Sequence, residues 1–374
     1  MSSSSTRSFE TLLVLYPLEP PILDSLRTVF PRVLYYPSQG PSCPPDAPLP
    51  SAEEWKTVDA IFTFALPDVL TSLEQVPRLK LVQGCSAGYS HLEQCAFYKS
   101  LPSPSPVTFA NASGIHVSTI GEHCLATVLM LYHKLHTIAI RNHVDQRWIA
   151  AHELGGNFIR ELNTLKVGIV GYGHIGRETA RLFHACGSTV YALTRSGRPT
   201  PIHGFLLPHT GDPLGTLPQK YFASIDRSAR LDFFGACDVV INTLPDSVRT
   251  RGCMGVEELS AMKGDSVYVN IGRGTTTDQE ALVEALSAQP QEGEAEDAVG
   301  TLRIGGASLD VTEPEPLPPS HPLFLLPNVL VTPHMSGSSK LYWSKATEVL
   351  KVNVERMRKG KGAVNAWHGR GEEA

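Results

Sequence analysis

The stretch that decides the fold is Val167-Gly168-Ile169-Val170-Gly171-Tyr172-Gly173-His174-Ile175-Gly176. A short apolar strand runs directly into the Gly-x-Gly-x-x-Gly spacing, and a helical pattern follows. Glycine at these positions permits a tight turn and a close approach of the backbone, so that helix N–H groups face a pyrophosphate. The stretch predicts a dinucleotide site formed by Gly171, Gly173, His174, Ile175 and Gly176, the alternative being a glycine turn without a ligand. The side chains of Tyr172 and His174 are expected to point outward.

The end of the next strand bears on which dinucleotide is bound. Tyr191-Ala192-Leu193 runs into Thr194-Arg195-Ser196, with no carboxylate where an NAD enzyme places one on the ribose 2′-hydroxyl. A guanidinium between two hydroxyls is suited to a 2′-phosphate instead. The sequence favours NADP(H), with NAD(H) still possible. The alternative is that Arg195 is a solvated loop residue and that backbone holds the ribose.

Outward from this core, apolar runs alternate with helical patterns in both directions. Strands are predicted at residues 12–16, 33–36, 61–64, 79–82, 107–110, 165–170, 189–193, 239–244, 267–271 and 307–311, and helices at 118–135, 175–186 and 338–358. Such alternation is typical of parallel sheets covered by helices on both faces. The predicted fold class is α/β with doubly wound parallel sheets.

Several segments interrupt this pattern. Residues 196–233 are too long for an ordinary connection and are rich in Pro, Gly and His, so they are interpreted as an insertion. A Pro-rich surface loop is predicted at 37–50, a connecting arm with Trp148 at 141–160, and a solvated acidic loop at 291–297. Thr277 and Glu280 have the spacing of a capping box, which predicts the start of a helix.

Composition and charge exclude several classes of function. The 374 residues favour two domains, and 32 Lys and Arg against 37 Asp and Glu give a formal net charge of −5. A weakly acidic chain that is 18% charged argues against nucleic-acid and anionic-membrane partners. No apolar run approaches the roughly 18 residues of a membrane span. The Ser-rich start is interpreted as a tail rather than a signal peptide.

Cysteine and histidine usage indicates a reducing compartment and no metal centre. The 7 cysteines are scattered without a Cys-x-x-Cys pair, as is typical of free thiols, so a cytoplasmic location is expected. His133 and His136 stand three apart on a predicted helix, but no acidic or cysteine partner follows at ligand spacing. No metal site is predicted.

Further motifs follow in a fixed order over most of the chain. They are Gln83-Gly84-Cys85-Ser86-Ala87-Gly88, Gly121-Glu122-His123, Arg160-Glu161-Leu162, Thr243-Leu244-Pro245, Val269-Asn270-Ile271-Gly272-Arg273-Gly274, Leu309-Asp310-Val311-Thr312-Glu313-Pro314-Glu315-Pro316-Leu317-Pro318 and Thr332-Pro333-His334. Together with the glycine turn, they give a chain that resembles the D-isomer-specific 2-hydroxyacid dehydrogenases, in particular their glyoxylate/hydroxypyruvate reductase-like branch.

The resemblance implies a Rossmann dinucleotide-binding domain inserted into a flavodoxin-like substrate domain. The substrate domain would comprise residues 1–120, with 338–374 returning to it, and the dinucleotide domain residues 121–337, with the insertion at 196–233. The resemblance also implies a homodimer joined through the cofactor domains and the arm around Trp148. Tyr89-Ser90 stands where Val-Asp is common, and this departure and the insertion leave the size of the substrate open.

The resemblance also implies roles for three catalytic residues. His334 is the candidate acid/base, since an imidazole titrates near working pH, and Glu315 matches the position that hydrogen-bonds it and favours its protonated form. Arg273 offers a planar fork to the carboxylate and carbonyl of a 2-keto acid and a fixed charge to the developing alkoxide. Each residue has a structural alternative: a salt bridge for Arg273, a capped loop for His334 and plain solvent exposure for Glu315.

Other positions match binding roles of the family. The N–H groups of Ala87 and Gly88, in the turn that begins at Ser86, are expected to bind the substrate carboxylate. Asp310 matches a position that contacts the nicotinamide amide, the alternative being a buried loop cap. The remaining matches to cofactor-binding positions are Leu244, Pro245 and Ile271.

The predicted activity is NAD(P)H-dependent reduction of a small 2-keto acid, of the glyoxylate or hydroxypyruvate type, to the D-2-hydroxy acid, and the reverse oxidation. A formate-dehydrogenase-like activity is disfavoured, because it would need Gln in place of Glu315. The alternative from another class is a dinucleotide-regulated protein-binding module of the corepressor type on the same scaffold.

Overall fold

Two β-sheets, each in its own unit of the chain, carry the fold of the computed structural model, which describes residues 8–39, 43–44, 46–154, 159–288 and 297–367. The first unit comprises Met1–Ile115, His203–Leu207 and Ser339–Ala374, and the second comprises His116–Ile202 and Pro208–Ser338. The predicted boundary at residue 120 is therefore placed too late, because it falls inside a helix that belongs wholly to the second unit.

The elements alternate along the described chain. The strands are β1 (Thr11–Val14), β2 (Arg32–Tyr35), β3 (Ala60–Thr63), β4 (Leu81–Gly84), β5 (Thr108–Ala110), β6 (Lys166–Val170), β7 (Thr189–Thr194), β8 (Lys220–Ala223), β9 (Val239–Asn242), β10 (Val267–Asn270), β11 (Gly306–Leu309), β12 (Val329–Val331) and β13 (Ala366–Trp367). The α-helices are α1 (Pro20–Arg27), α2 (Ala52–Trp55), α3 (Ser90–Gln94), α4 (Ala96–Ser100), α5 (Val117–Tyr132), α6 (Leu135–Asp145), α7 (His174–Ala185), α8 (Arg227–Ala236), α9 (Val256–Ala261), α10 (Gln279–Ser287) and α11 (Tyr342–Arg358). Short 3₁₀ turns lie at Leu73–Gln75, Ala151–Leu154, Leu162–Thr164, Gly274–Thr276 and Pro322–Phe324.

The sheet of the first unit has the strand order β2-β1-β3-β4-β5-β13. The first five strands pair in parallel, and β13 adds an antiparallel edge at β5 that the sequence pattern did not predict. Successive residues of β1 alternate between two apolar cores, as the period of a strand requires: Leu12 and Val14 pack with α1 and α11, whereas Leu13 packs with Trp55 and Phe97 on the opposite face. The β2-β1-β3-β4-β5 order is flavodoxin-like.

The sheet of the second unit has the order β8-β7-β6-β9-β10-β11-β12, and every pair in it is parallel. The order reverses between β6 and β9, which makes the carboxyl ends of these strands the switch point where doubly wound sheets bind ligands. Helices α5 and α7 cover one face, and α8, α9 and α10 cover the other. The predicted fold class, two doubly wound α/β domains of which one is a Rossmann domain, is confirmed.

At the amino end of the second sheet, one buried carboxylate joins two strands. Asp238, just before β9, accepts the backbone N–H of Lys166 at 2.7 Å and contacts Arg160 and Lys263 at 2.8 Å each. Burial alone would raise the pKa of Asp238, but hydrogen bonds from Lys263, the Lys166 N–H and Arg160 outweigh that cost and hold the pKa below its usual value.

Two predictions about the connecting segments need correction. The second half of the predicted 196–233 insertion is regular structure, because β8 pairs with β7 and α8 begins at the N-cap Asp226, whose carboxylate accepts the N–H groups of Ser228 and Ala229. As an edge strand, β8 is only partly buried, so it lacks the apolar run of the inner strands. The predicted arm 141–160 begins inside α6, which has no buried residue and therefore no apolar periodicity.

The helix predicted to start with a capping box does not use Thr277. Helix α10 is capped by Asp278, whose carboxylate accepts the N–H of Ala281 at 3.1 Å. The Thr277 hydroxyl instead pairs with the Tyr268 hydroxyl at 2.7 Å, inside the unit. The predicted N-terminal tail up to residue 7, residues 40–42 and 45 of the predicted Pro-rich loop, and residues 291–296 of the acidic loop lie outside the described residues.

Candidate active site

The glycine turn between β6 and α7 has the geometry that its spacing predicts. Gly171 has a φ of +86°, and a Cβ at Gly176 would lie 2.3 Å from the Gly171 carbonyl oxygen, so only glycine fits at these two positions. A Cβ at Gly173, by contrast, would meet nothing within 4 Å. Gly173 is also the N-cap of α7, with no side chain closing the helix end. The turn thus leaves open space in front of the helix N–H groups, which fits a pyrophosphate.

The side chain of Tyr172 does not point outward, and this expectation is wrong. Tyr172 is buried, and its hydroxyl donates to the Asp212 carboxylate at 2.9 Å. Arg177, on the first turns of α7, donates to the carbonyl oxygens of Tyr172 and Asp212 at 3.0 and 2.6 Å and to that of Thr200 at 2.6 Å. The loop between β7 and β8 is therefore fastened to the glycine turn from inside.

This fastened loop begins with the residues predicted to choose the cofactor. Thr194 ends β7, its hydroxyl accepts the Gly197 N–H at 3.1 Å, and Arg195 and Ser196 are exposed. Among the described residues, the Arg195 guanidinium has no hydrogen-bond or ion-pair partner. A cation held at the end of β7 with its donors unused is suited to a phosphate group on the ribose.

Arg273 lies between two glycines that let its backbone pack tightly. A Cβ at Gly272 would lie 2.4 Å from the Leu244 carbonyl oxygen, and one at Gly274 would lie 2.0 Å from that of Thr312. The Arg273 carbonyl accepts hydrogen bonds from Asn270 and from the Thr276 hydroxyl, at 3.1 and 2.6 Å. The backbone of Arg273 is thus fixed between the loops that follow β9 and β11.

The guanidinium of Arg273 remains available. It is exposed, its contact within 3 Å is the neighbouring Gly272 carbonyl, and it forms no ion pair with a carboxylate of the described chain. The nearby Asp246 is already occupied by Arg251 and Thr275, whose hydrogen bonds lower the pKa of Asp246 to about 2. The structural alternative for Arg273, a salt bridge, therefore finds no support in the described residues.

His334 and Glu315 form a direct pair. The Nδ1 atom of His334 lies 2.6 Å from a carboxylate oxygen of Glu315, and the two side chains are 47% and 41% exposed. His334 has a φ of 50°, an uncommon conformation for a residue with a side chain. Within the described chain its Nε2 atom has no partner, so one ring nitrogen is held and the other is unbonded.

The His334 loop is held by Asp310. The Asp310 carboxylate accepts the Thr332 hydroxyl at 2.6 Å and the N–H groups of Met335 and Ser336 at 2.9 and 3.0 Å, and its carbonyl accepts the His334 N–H at 3.0 Å. Burial would raise the pKa of Asp310, but hydrogen bonds from Ser336 and Thr332 outweigh it and lower that pKa. Asp310 is thus a buried loop cap, whichever contact it also makes with a cofactor.

The parallel sheet brings these residues to one edge. His334 follows β12, Asp310 and Glu315 follow β11, and Arg273 follows β10. The three catalytic candidates therefore lie at the carboxyl ends of three adjacent strands, and neighbouring strands are about 4.8 Å apart. The remaining cofactor candidates continue along the same edge: Leu244 and Pro245 after β9, Ile271 directly after β10, the glycine turn after β6, and Thr194, Arg195 and Ser196 at β7.

The predicted carboxylate-binding turn lies in the first unit, at the carboxyl end of β4. Ser86 donates its hydroxyl to the Gly88 carbonyl at 2.7 Å, and its own carbonyl accepts the Ala112 N–H at 2.8 Å. The N–H groups of Ala87 and Gly88 have no acceptor among the described residues. They are donors available to an anion.

Two residues at the second unit's edge were missed by the sequence reasoning. Asp212 holds the glycine turn from 40 positions away, and Gln279, at the start of α10, holds the backbone of Glu313. Neither belongs to a motif, and no periodicity marks them. Only the folded chain shows which side chain meets which loop.

The family model of the D-isomer specific 2-hydroxyacid dehydrogenase NAD binding domain matches residues 125–210 and 218–336, more than half of the chain. The chain belongs to this family of oxidoreductases. The candidate cofactor-binding residues described above therefore lie within the match to the family's NAD binding domain.

The chain is similar to known proteins in sequence and in fold. A putative 2-hydroxyacid dehydrogenase of Haemophilus influenzae is 25% identical over 81% of this chain and 85% of its own length. Glyoxylate/hydroxypyruvate reductase B of Escherichia fergusonii is 27% identical over 71% of each chain. A D-isomer specific 2-hydroxyacid dehydrogenase of Xanthobacter autotrophicus, solved with NADPH and MES, shares the fold with a TM-score of 0.71 at 22% identity, over 96% of this chain and 98% of that one.

Two kinds of feature are absent from the described residues. None of the helices in the described ranges has the length and apolarity that crossing a membrane requires. Over the same ranges, no three His, Cys, Asp or Glu side chains come together as a set of metal ligands. His136 contacts the carbonyl oxygens of Met130 and Pro327 at 3.1 and 2.8 Å.

Proposed function

We propose that the protein reduces a small 2-keto acid of the glyoxylate or hydroxypyruvate type to the D-2-hydroxy acid with NADPH, and catalyses the reverse oxidation. The observation that carries this proposal is the 2.6 Å pair of His334 and Glu315, at the same sheet edge as the unpaired Arg273. A proton donor and a fixed cation are the two groups that hydride addition to a 2-keto acid demands of a protein.

NADPH, when bound along this edge, would supply the hydride. The glycine turn and the first N–H groups of α7 would hold its pyrophosphate, and Arg195 with its two flanking hydroxyls would hold the 2′-phosphate. The NADPH bound in the Xanthobacter relative and the missing carboxylate at the end of β7 support this preference. NAD(H) stays possible as a weaker cofactor.

Glu315 accepts a hydrogen bond from Nδ1 of His334, which leaves the Nε2 atom of the ring to deliver a proton to the carbonyl oxygen of the substrate. Arg273 can bind the substrate's carboxylate and carbonyl with its planar fork, and its charge opposes the negative charge that develops on the oxygen. In the oxidation, neutral His334 takes the proton back from the hydroxyl.

The remaining expectations also belong to the proposal. The unpaired N–H groups of Ala87 and Gly88 support their role as donors to the substrate carboxylate. We retain the homodimer that the resemblance implies; Trp148, in the proposed arm, is 90% exposed. The cytoplasmic location remains a prediction from the scattered cysteines.

The test is a spectrophotometric screen of 2-keto acids of increasing size with NADPH and NADH. Oxidation of NADPH with a small keto acid, lost on the order of a hundredfold in Arg273→Lys, is the expected result. That variant keeps the charge and loses the two-pronged fork. Absence of turnover with all acids, together with nucleotide-dependent self-association, would favour the corepressor-type binding module instead.

A further inference from the structure

The side-chain amide of Gln279 is bonded to both backbone groups of one residue. Its Nε2 atom donates to the Glu313 carbonyl oxygen at 2.7 Å, and its Oε1 atom accepts the Glu313 N–H at 3.1 Å. Gln279 is the first residue of α10, whose start is fixed by the Asp278 cap. The amide therefore does for Glu313 what a neighbouring strand does for a residue inside a sheet.

The loop that follows Glu313 has few other anchors. Pro314 and Pro316 have no N–H to donate, and Thr312 contributes one hydrogen bond, from its hydroxyl to the Pro314 carbonyl at 2.9 Å. Glu315 lies between the two prolines, and its carboxylate is 41% exposed, so packing alone does not set its position. The anchor at Glu313 lies two residues before the carboxylate that holds His334.

An open groove of about 440 Å³ borders this anchor. Its lining includes Gln279, Glu313, Pro314 and His321, and the Nε2 atoms of Gln279 and His321 lie 3.4 Å apart. Space on this side means that shortening the Gln279 side chain admits water instead of letting neighbours close in. The Glu313 backbone would then lose its fixed partner.

We propose that Gln279 is a positioning residue of the active site: it fixes the loop that carries Glu315, and through Glu315 it sets the orientation of the His334 imidazole. The kinetic test of this inference rests on the proposed function. The inference assigns no contact between Gln279 and substrate or cofactor. It predicts that loss of the amide slows the proton-transfer step and leaves binding in place.

The first experiment compares Gln279→Ala with the parent and with Glu280→Ala. Glu280 is the next residue on the same helix turn and has no hydrogen bond to the described loop, which makes it a matched control. We expect kcat for reduction to fall about tenfold in Gln279→Ala, because small displacements of catalytic groups have effects of this size. The KM for the keto acid and the Kd for NADPH should change less than twofold, and Glu280→Ala should behave like the parent.

The second experiment repeats Gln279→Ala in a Glu315→Gln background. If Gln279 acts through the Glu315–His334 pair, its removal should add little once that pair is weakened, a non-additivity that a purely structural role does not produce. Equal losses in both backgrounds, or an unchanged kcat in the parent background, would overturn the proposal. Gln279→Glu keeps the acceptor and loses the donor, so its kcat should lie between those of the parent and Gln279→Ala.

A readout that needs no turnover separates this inference from the proposed function. The NMR signals of the His334 ring report its orientation and its hydrogen bond to Glu315. They should shift in Gln279→Ala in the same direction as in Glu315→Gln and stay in place in Glu280→Ala. The charged groups facing this region, Asp278, Glu280, Glu313 and His321 at the groove and Asp310 behind His334, are unchanged in Gln279→Ala. An unmoved ring signal contradicts the positioning role, whereas an inactive parent with a shifted signal contradicts only the proposed reaction.

Discussion

Each end of the second sheet has a carboxylate bonded to a nitrogen-containing side chain, but the surroundings of the two carboxylates are opposite. At the amino end, Asp238 is 6% exposed and its oxygens are shared by Arg160, Lys263 and the Lys166 N–H. At the carboxyl end, Glu315 is 41% exposed and holds one atom of His334, whose other ring nitrogen is unused in the described chain. The oxygens of Asp238 are fully occupied by protein groups, whereas His334 keeps a free ring nitrogen that could bind a ligand.

This contrast separates the groups that hold the fold from the groups to which we assign chemistry. A buried carboxylate with every oxygen occupied has no proton to exchange near neutral pH, and removing it leaves its cations without a partner. The first unit also has a buried carboxylate bonded to backbone N–H groups and two cations. Asp59, just before β3, accepts the N–H groups of Glu10 and Thr11 and contacts Arg78 and Lys80. In both units the amino end of the sheet is therefore closed by an ionised, fully bonded aspartate.

The largest expected effect lies at the carboxyl end. His334→Ala should lower turnover in both directions by about 10² to 10⁴-fold, the usual contribution of a positioned acid/base. Thermal stability should be unchanged, because His334 is half exposed. NADPH binding should be retained, because the glycine turn follows β6 and His334 follows β12. The measurement is steady-state kinetics beside a fluorescence titration with NADPH. A variant that lost stability and activity together would place His334 with the structural groups.

At the amino end the expected effect falls on stability. Asp238→Ala leaves Arg160 and Lys263 without their shared carboxylate and should lower the free energy of unfolding by about 3 kcal/mol. Because the pKa of Asp238 is lowered by folding, its contribution is present above the pKa of the unfolded chain, about 4, and is lost as pH falls through the folded value.

The check is a set of denaturation curves for the parent and Asp238→Ala between pH 3 and 7. The gap between the two proteins should be widest near pH 7 and should narrow below about pH 4. A gap that is independent of pH would mean that Asp238 acts by packing alone. Turnover of the folded variant should stay near that of the parent, since Asp238 lies at the opposite end of the strands.

A smaller effect is expected at Arg195, to which we assign the choice of cofactor. Arg195→Ala removes a charge-assisted contact with the 2′-phosphate and should raise the KM for NADPH roughly tenfold to a hundredfold, while the KM for NADH stays the same. Arg198→Ala, on the same exposed loop, is the matched comparison. Equal losses with both cofactors would show that Arg195 supports the loop instead of the phosphate.

The sequence predicted most of what lies at the carboxyl edge, for physical reasons. Close backbone approaches require glycine in the turn and in Gly272-Arg273-Gly274, and this requirement fixes a spacing of glycines that can be read in the sequence. Apolar runs predicted the strands that pair on both sides. Parallel pairing then brings the ends of these strands together without further information.

The contacts that the sequence did not predict are those between residues distant along the chain. Tyr172 and Asp212 are 40 positions apart, and nothing local distinguishes a tyrosine that is buried against a carboxylate from one that is exposed. Strand β8 is a partly buried edge strand, so its pattern is that of a loop. The spacing of Thr277 to Glu280 predicts a capping box, yet the Thr277 hydroxyl is bonded inside the unit, which leaves the cap to Asp278.

The measurement that tests the central claim most directly is kcat for reduction in the parent and in Glu315→Gln, with Glu313→Gln as the control carboxylate on the same loop. We propose that Glu315, 2.6 Å from Nδ1 of His334, holds the ring so that Nε2 delivers the proton in reduction. Glu315→Gln weakens that contact and should lower kcat about tenfold, whereas Glu313→Gln should follow the parent. An unchanged kcat in Glu315→Gln, or an equal loss in both variants, would contradict the assignment of the pair.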